Sequence, residues 1–303
     1  MFSYSLIVEQ ILLGLMNGGI YAAVGVGLTM IFGVMKLSNF AHGEFYMLGA
    51  YFTFALVNSL GSDPFLMGPL SALGVGLVSV ILNKLVFSSL YKELREVKGS
   101  AAFFFQDLRF IMLTIGLSIL LVDLALVVWG PIPINMSSAL TSIIIKLPGD
   151  FSFSLARIVT FFLALTSLIA LYLFLKITKT GKAIRATAQN PAAAALSGIN
   201  TNRIYDITMF ISTTLAALAG GVLGAIYSLY PTMGLDVVVK AFVVVIVGGM
   251  GNLVGSIFAG FLIGFAEGLG GVYFGTEYRQ VVAFVIMILV LWFRPKGILG
   301  RGG

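Results

Sequence analysis

The chain reads as an all-α polytopic membrane protein, a helical bundle of about eight transmembrane segments with one broken or re-entrant helix. Three observations predict this. Hydrophobic residues make up 59% of the 303 positions and charged residues only 10%, far from the soluble average. Apolar runs of about the 20 residues that cross a bilayer recur along the chain and leave almost nothing for an extramembrane domain. One late apolar stretch is interrupted by Gly248-Gly-Met-Gly-Asn252, which breaks a helix. The chain is therefore expected to be a single transmembrane domain, 1–303, whose chemistry sits in the bundle or in short loops. Its net charge of +6 reports loop placement in a protein of this class, so no nucleic-acid partner is inferred. The absence of cysteine excludes disulfides, thiolate metal sites and cysteine nucleophiles.

The first span runs from about Leu6 to Met35 and carries Asn17 among Gly18, Gly19, Gly25 and Gly27. No basic residue precedes Lys36, which puts the N-terminus outside. With no basic n-region, the stretch is expected to stay as a span and not to be cleaved. The glycines read as a packing face. Asn17 reads either as a pathway residue or as an interhelical hydrogen bond.

A polar interruption, Leu37 to Glu44, holds Asn39, His42 and Glu44 before the second span, Phe45 to Leu60. A single imidazole without a second ligand argues against a metal site. Buried polar groups of this kind tie helices together or line a hydrated cavity. The third span, Leu66 to Phe87, leads to a mixed loop with Lys92, Glu93, Arg95, Glu96, Lys98, Asp107 and Arg109, whose modest basic excess agrees with an inside location. The fourth, Phe110 to Trp129, carries Asp123 near its outer end, where an interfacial position avoids the cost of a charge in hydrocarbon. Pro131, Pro133 and Pro148 oppose a continuous helix in the outer loop 130–153. The fifth span covers Leu155 to Leu175.

The segment Lys176 to Arg203 that follows has five basic residues, Lys176, Lys179, Lys182, Arg185 and Arg203, and no acidic one. That bias marks a cytoplasmic loop. Inside it, Asn190 offers an N-cap, Pro191 suits the first helical position, Ala192 to Ser197 mostly favour helix, and Gly198 permits a left-handed exit. The resulting helix of about two turns is too short to stand alone in water. Its alanine surface suits docking into a partner's groove. The loop 176–206 is read as a coupling element, with Gly181, Arg185, Asn190, Pro191, Ala193, Ala194, Leu196 and Gly198 as its key residues.

A sixth span is expected from Asp206 to about Tyr230. The region 237–273 then reads as a discontinuous helix: an apolar stretch to Val247, the break, and a second segment with Ser256, Gly260, Gly264 and Gly268 at every fourth position, a small-residue packing ridge. Irregular backbone at membrane depth is tolerated where protein or a water-filled cavity satisfies it. Gly248, Gly249, Gly251 and Asn252, together with Asn17, Asn39, His42 and Glu44, are the candidate pathway residues. Glu267 reads either as a pathway residue or as a paired structural charge. The last span, Tyr278 to Phe293, ends in a basic tail, Arg294 to Arg301, expected to be cytoplasmic.

No phosphate-binding motif is present. The Gly181-Lys182 pair would need glycine at Lys176 and Ser or Thr at Ala183 to make a Walker A pattern. Intramembrane carboxylates are too few for a proton relay. A docking helix without a motor points to energy from a separate subunit.

Taken together, Asn39-Phe-Ala-His-Gly-Glu44, Gly181-Lys-Ala-Ile-Arg-Ala-Thr-Ala-Gln-Asn190, Gly198-Ile-Asn-Thr-Asn-Arg203, Gly248-Gly-Met-Gly251 and Gly297-Ile-Leu-Gly300 resemble the LivH-type permeases of high-affinity branched-chain amino acid ABC importers, in order over nearly the whole chain. The resemblance implies a bacterial inner-membrane subunit paired with a LivM-type permease, two cytoplasmic ATPases of the LivG and LivF type, and a periplasmic substrate-binding protein. ATP and magnesium would act in the partner subunits, and this chain would carry no cofactor. In that family the stretch matching Gly181 to Arg203 couples to the ATPase. Tyr91-Lys92-Glu93 departs from the Tyr-Arg-Pro common in relatives. Two alternatives stay open at this point: the same machinery serving urea, short amides or other small carboxylates, and a self-sufficient secondary transporter or channel.

Overall fold

The long first helix, α1 (Tyr4–Met35), is the axis around which the others are arranged. It is apolar on all sides, as a helix enclosed by protein must be, and its half from Ile20 onward is almost entirely buried. The computed structural model describes residues 4–87, 100–147 and 151–300. The loop residues Tyr91, Lys92, Glu93, Arg95, Glu96 and Lys98, with Pro148 and Arg301, lie outside the described residues.

After α1, α2 (His42–Leu60) starts three residues earlier than the polar pattern suggests and ends at Gly61, whose φ of 63° permits the left-handed exit. Asp63 caps α3 (Pro64–Leu82) by accepting from the Phe65 amide, with Pro64 at the first position. A π turn, Asn83–Phe87, follows. Next come α4 (Ser100–Trp129), a single turn α5 (Ala139–Ser142), and strands β1 (Ile144–Leu147) and β2 (Phe151–Ser154). The strands form a small antiparallel ribbon in which Ile145 faces Phe153. It lies within the segment that prolines exclude from a continuous helix. Beyond it, α6 (Leu155–Ile177), α7 (Lys179–Gln189), α8 (Pro191–Leu196), α9 (Thr201–Leu223), α10 (Met233–Gly248), α11 (Leu253–Tyr273) and α12 (Arg279–Phe293) complete the described chain.

The architecture is the all-α polytopic bundle that composition predicts. Among the described residues six helices are long and apolar enough to cross a membrane: Ile7–Met35, Pro64–Phe87, Leu108–Trp129, Leu155–Ile177, Thr201–Leu223 and Leu253–Tyr273, with Arg279–Phe293 shorter. About nine-tenths of the apolar window of α1 is buried against 28% for α4 and α6. The first is therefore interior and the other two are peripheral, with leucine and isoleucine faces turned outward as a lipid-exposed surface requires.

Two small-residue seams hold the interior. Along the first, Gly260, Gly264 and Gly268 of α11 sit against Ala22, Gly14, Gly18 and the Gln10 carbonyl of α1, with no room for a Cβ at any of the three glycines. Along the second, Gly49 of α2 meets the backbone of Ala217 in α9, and Gly220 of α9 meets the Tyr46 backbone. In lipid the hydrophobic effect between helices is weak, so close backbone approach and dispersion carry the association. Polar pairs stitch the same contacts: Thr29 Oγ1 and Ser256 Oγ are 2.5 Å apart, Thr53 Oγ1 and Ser71 Oγ 2.6 Å, and Thr213 Oγ1 donates to Ser79 Oγ at 2.7 Å.

The sixth span differs from its sequence reading. It begins at Thr201, where Asn200 accepts from the Arg203 amide, and ends at Leu223 instead of about Tyr230. Gly224 turns against the Met136 methyl. The chain then runs irregularly, and Leu229 pairs with Ile134 of the outer loop through two backbone hydrogen bonds of 2.7 and 2.9 Å. Hydropathy alone continues through this stretch, and a partner ninety-odd residues away decides its conformation.

Candidate coupling surface and translocation elements

The segment after α6 is built by local capping. Thr178 ends one helix and starts the next: its hydroxyl donates to the Phe174 carbonyl at 2.7 Å and accepts from the Gly181 amide at 2.9 Å. Gly181 is pressed against the Phe174 and Leu175 backbone, where a Cβ would collide. Amphipathic α7 buries Gly181, Ile184 and Thr187 and exposes Lys179, Lys182 and Arg185. Asn190 then caps α8, its Oδ1 accepting from the amides of Ala192 and Ala193 at 3.0 Å each, with Pro191 at the first helical position. The exit is a Schellman motif. Gly198, at φ 82°, donates to the Ala195 carbonyl and Ile199 to that of Ala194. Only Ala194 of this short helix is buried, while Leu196 is 91% exposed. Ala193 lies on the exposed side with it.

The polar group before α2 is fully enclosed. Asn39 Oδ1 accepts from the Ala41 amide at 3.1 Å, which shapes the turn into the helix. His42 is wholly buried, with Nε2 3.2 Å from the Val24 carbonyl. A Cβ on Gly27 would strike that imidazole and the Ser212 carbonyl. Glu44 is equally buried and accepts from Ser118 Oγ of α4 at 2.9 Å. Its other oxygen fills the space that a side chain at Gly234 of α10 would occupy. His42 therefore ties α2 to α1, and Glu44 ties it to α4 and packs on Gly234 of α10, while Asn39 shapes the turn that leads into it. Asn17 is half-buried on α1, apart from them.

The glycine-rich break is the turn joining α10 to α11. Gly248 packs on the Gly255 backbone, Gly249 (φ 101°) and Gly251 (φ 82°) take conformations that favour glycine, and Gly251 lies against Gly33 of α1. Asn252 caps α11 by accepting from the Gly255 amide at 3.0 Å. The C-terminal tail closes the turn: Ile298 donates its amide to the Val247 carbonyl at 2.8 Å, and Asn252 Nδ2 donates to the Leu299 carbonyl at 2.5 Å. The turn sits at the end of the bundle that carries Lys36, Lys176 and Arg185, all four bordering one cavity.

A triad that sequence reading did not assemble spans three helices. Tyr21 of α1 donates to Glu267 Oε2 of α11 at 2.8 Å, and Lys240 of α10 donates to the Tyr21 hydroxyl at 2.8 Å and to the same carboxylate at 3.1 Å. The Lys240 ammonium also lies 4.6 Å from the centre of the Tyr21 ring, a cation–π contact. Of the two readings open for Glu267, the structure shows the paired charge. The signal that was available is Lys240, a lone cation inside an apolar helix, which demands a partner of opposite charge. Asp123 is exposed on α4.

A glycine-seamed interior, a lipid-facing periphery and charges paired inside the bundle define a multi-pass helical membrane protein. The chain belongs to the family described as the permease component of branched-chain amino acid transport systems, whose model matches residues 10–291. It is 34% identical over 305 residues to the high-affinity branched-chain amino acid transport system permease protein BraD of Pseudomonas aeruginosa, covering 97% of this chain and 95% of that one. To the LivH permease protein of Escherichia coli it is 32% identical over 301 residues, with 97% and 95% covered. A probable LivH permease of Methanocaldococcus jannaschii is 29% identical over 288 residues, covering 91% and 87%.

Proposed function

We propose that this chain is the membrane-spanning permease of an ABC importer that takes up branched-chain amino acids by ATP-driven alternating access. The observation that carries the reading is the family match over residues 10–291. Hydrolysis of ATP with magnesium belongs to separate LivG- and LivF-type subunits, a LivM-type permease stands beside this one, and a periplasmic binding protein delivers the substrate.

In this reading α7 and α8 form the coupling element. Local caps at Thr178, Asn190 and Gly198 give a short rigid lever, and exposed Leu196 with its alanine neighbours is the surface that seats in an ATPase groove. Closure of the ATPases displaces the lever and changes which side of the bundle is open. Asn17, Asn39, His42, Glu44 and the Gly248 to Asn252 turn are assigned to the moving pathway. The burial of His42 and Glu44 supports a role in a closed state of it. The collection of Lys36, Lys176 and Arg185 at one end supports a cytoplasmic position for that end and for the tail, and an outside N-terminus.

The test is purification from the native membrane in mild detergent with identification of co-purifying chains by mass spectrometry. Two ATPases and a second permease are expected, whereas a chain that purifies alone and transports after reconstitution would sink the importer reading. Ala193→Glu adds charge and bulk to the docking surface without touching the bundle. It is expected to leave the thermal unfolding profile unchanged and to lower substrate-stimulated uptake at least tenfold, on the scale of a lost interface anchor. Uptake at the wild-type rate would remove α8 from the coupling role.

A further inference from the structure

At the ends of α1 and α6 a cavity of about 530 Å³ opens beside the turn that joins α10 to α11. Lys36, Lys176 and Arg185 border it, together with Gln189 and Asn252, and among the described residues no acidic one lines it. Among the described residues none of the three cations has a carboxylate within ion-pair distance. Apart from Thr29 the remaining wall is largely apolar, including Met30, Val34, Leu175 and Leu253. Three cations without a carboxylate partner beside a largely apolar wall are complementary to an anion with an apolar body.

The position selects the kind of anion. Lys36 is the residue after the last of α1, held at φ 57°, the one positive φ among the described non-glycine residues. Lys176 lies in the last turn of α6, its ammonium 5.8 Å from the Tyr172 ring centre. Both stand where a spanning helix meets the membrane–water boundary, and exposed Tyr172 and Val254 at the rim face outward with the lipid-contacting helices. Basic pockets between span ends attract anionic headgroups. We propose that this cavity binds the phosphate of an anionic phospholipid, with the acyl chains leaving along α6 and α11. The inference requires only that the chain spans a bilayer, and not the coupling partners or the substrate.

Detergent-exchanged full-length protein is titrated with short-chain phosphatidylglycerol or phosphatidylcholine of equal acyl length, and bound lipid is read by native mass spectrometry. Phosphatidylglycerol is expected to bind on the order of tenfold more tightly, given roughly one favourable increment per basic residue near the headgroup. The Lys36→Gln/Lys176→Gln variant is expected to bind both lipids alike, while Lys146→Gln on the ribbon keeps the wild-type preference. If the double variant unfolds, Lys176→Gln alone is expected to lose several-fold. Equal binding of the two lipids by wild type overturns the proposal, as does a preference that survives loss of the lysines. Complete displacement of phosphatidylglycerol by millimolar inorganic phosphate reassigns the site to a soluble anion and overturns the lipid.

Discussion

Gly264→Leu is expected to abolish the assembled bundle. A Cβ at Gly264 meets the Gly14 carbonyl and the Gly18 backbone of α1, so the obstruction is main chain and no rotamer change relieves it. Ordinary overpacking of a core costs about 1–3 kcal/mol because side chains yield. Here two helices must separate, and with them the Thr29 to Ser256 contact and the Tyr21, Lys240 and Glu267 triad. Size-exclusion chromatography of the solubilised variant should show loss of the monodisperse species, with Gly264→Ala intermediate. Gly116→Leu on α4, where nothing lies within 4 Å of the added carbon, should behave as wild type. A well-folded Gly264→Leu protein would show that the close approach of α1 and α11 is dispensable.

Glu267→Leu should be the next most damaging change. It leaves the largely buried Lys240 ammonium of α10 at the seam of α1 and α11 without its carboxylate, and breaking a buried pair from one side costs about 3–5 kcal/mol. Adding Lys240→Met removes the stranded charge, so the double variant should recover most of that loss. The coupling between the two positions, measured by thermal unfolding in detergent, is the informative quantity. If the two losses simply add, the pair contributes nothing as a pair, and the triad is an accident of packing.

What sequence could and could not convey follows from the range of the physics. The α8 helix was legible because every determinant is local: Asn190 caps two residues ahead, Pro191 fixes its own φ, and Gly198 supplies its own left-handed turn. The ridge of Gly260, Gly264 and Gly268 was legible as a ridge by its four-residue period, but Gly14 and Gly18 as its partner were not, since periodicity carries no address. Lys240 and Tyr21 are separated by 219 positions, and neither motif nor spacing links them. The end of α9 escaped for the same reason, because Ile134 and Met136 act there from another part of the chain. His42 and Glu44 stood out as polar residues between apolar runs. Their partners, the Val24 carbonyl and Ser118, emerge only in three dimensions.

The strap across the α10–α11 turn has a consequence for biosynthesis. Residues 297–300, which satisfy the Val247 carbonyl and the Asn252 amide, are synthesised after both helices of that hairpin and after α12 have been made. Until they arrive, the turn has exposed polar groups and two flexible glycines at the mouth of the cavity. A chain without residues 297–300 therefore leaves the Val247 carbonyl and the Asn252 side-chain amide without these partners.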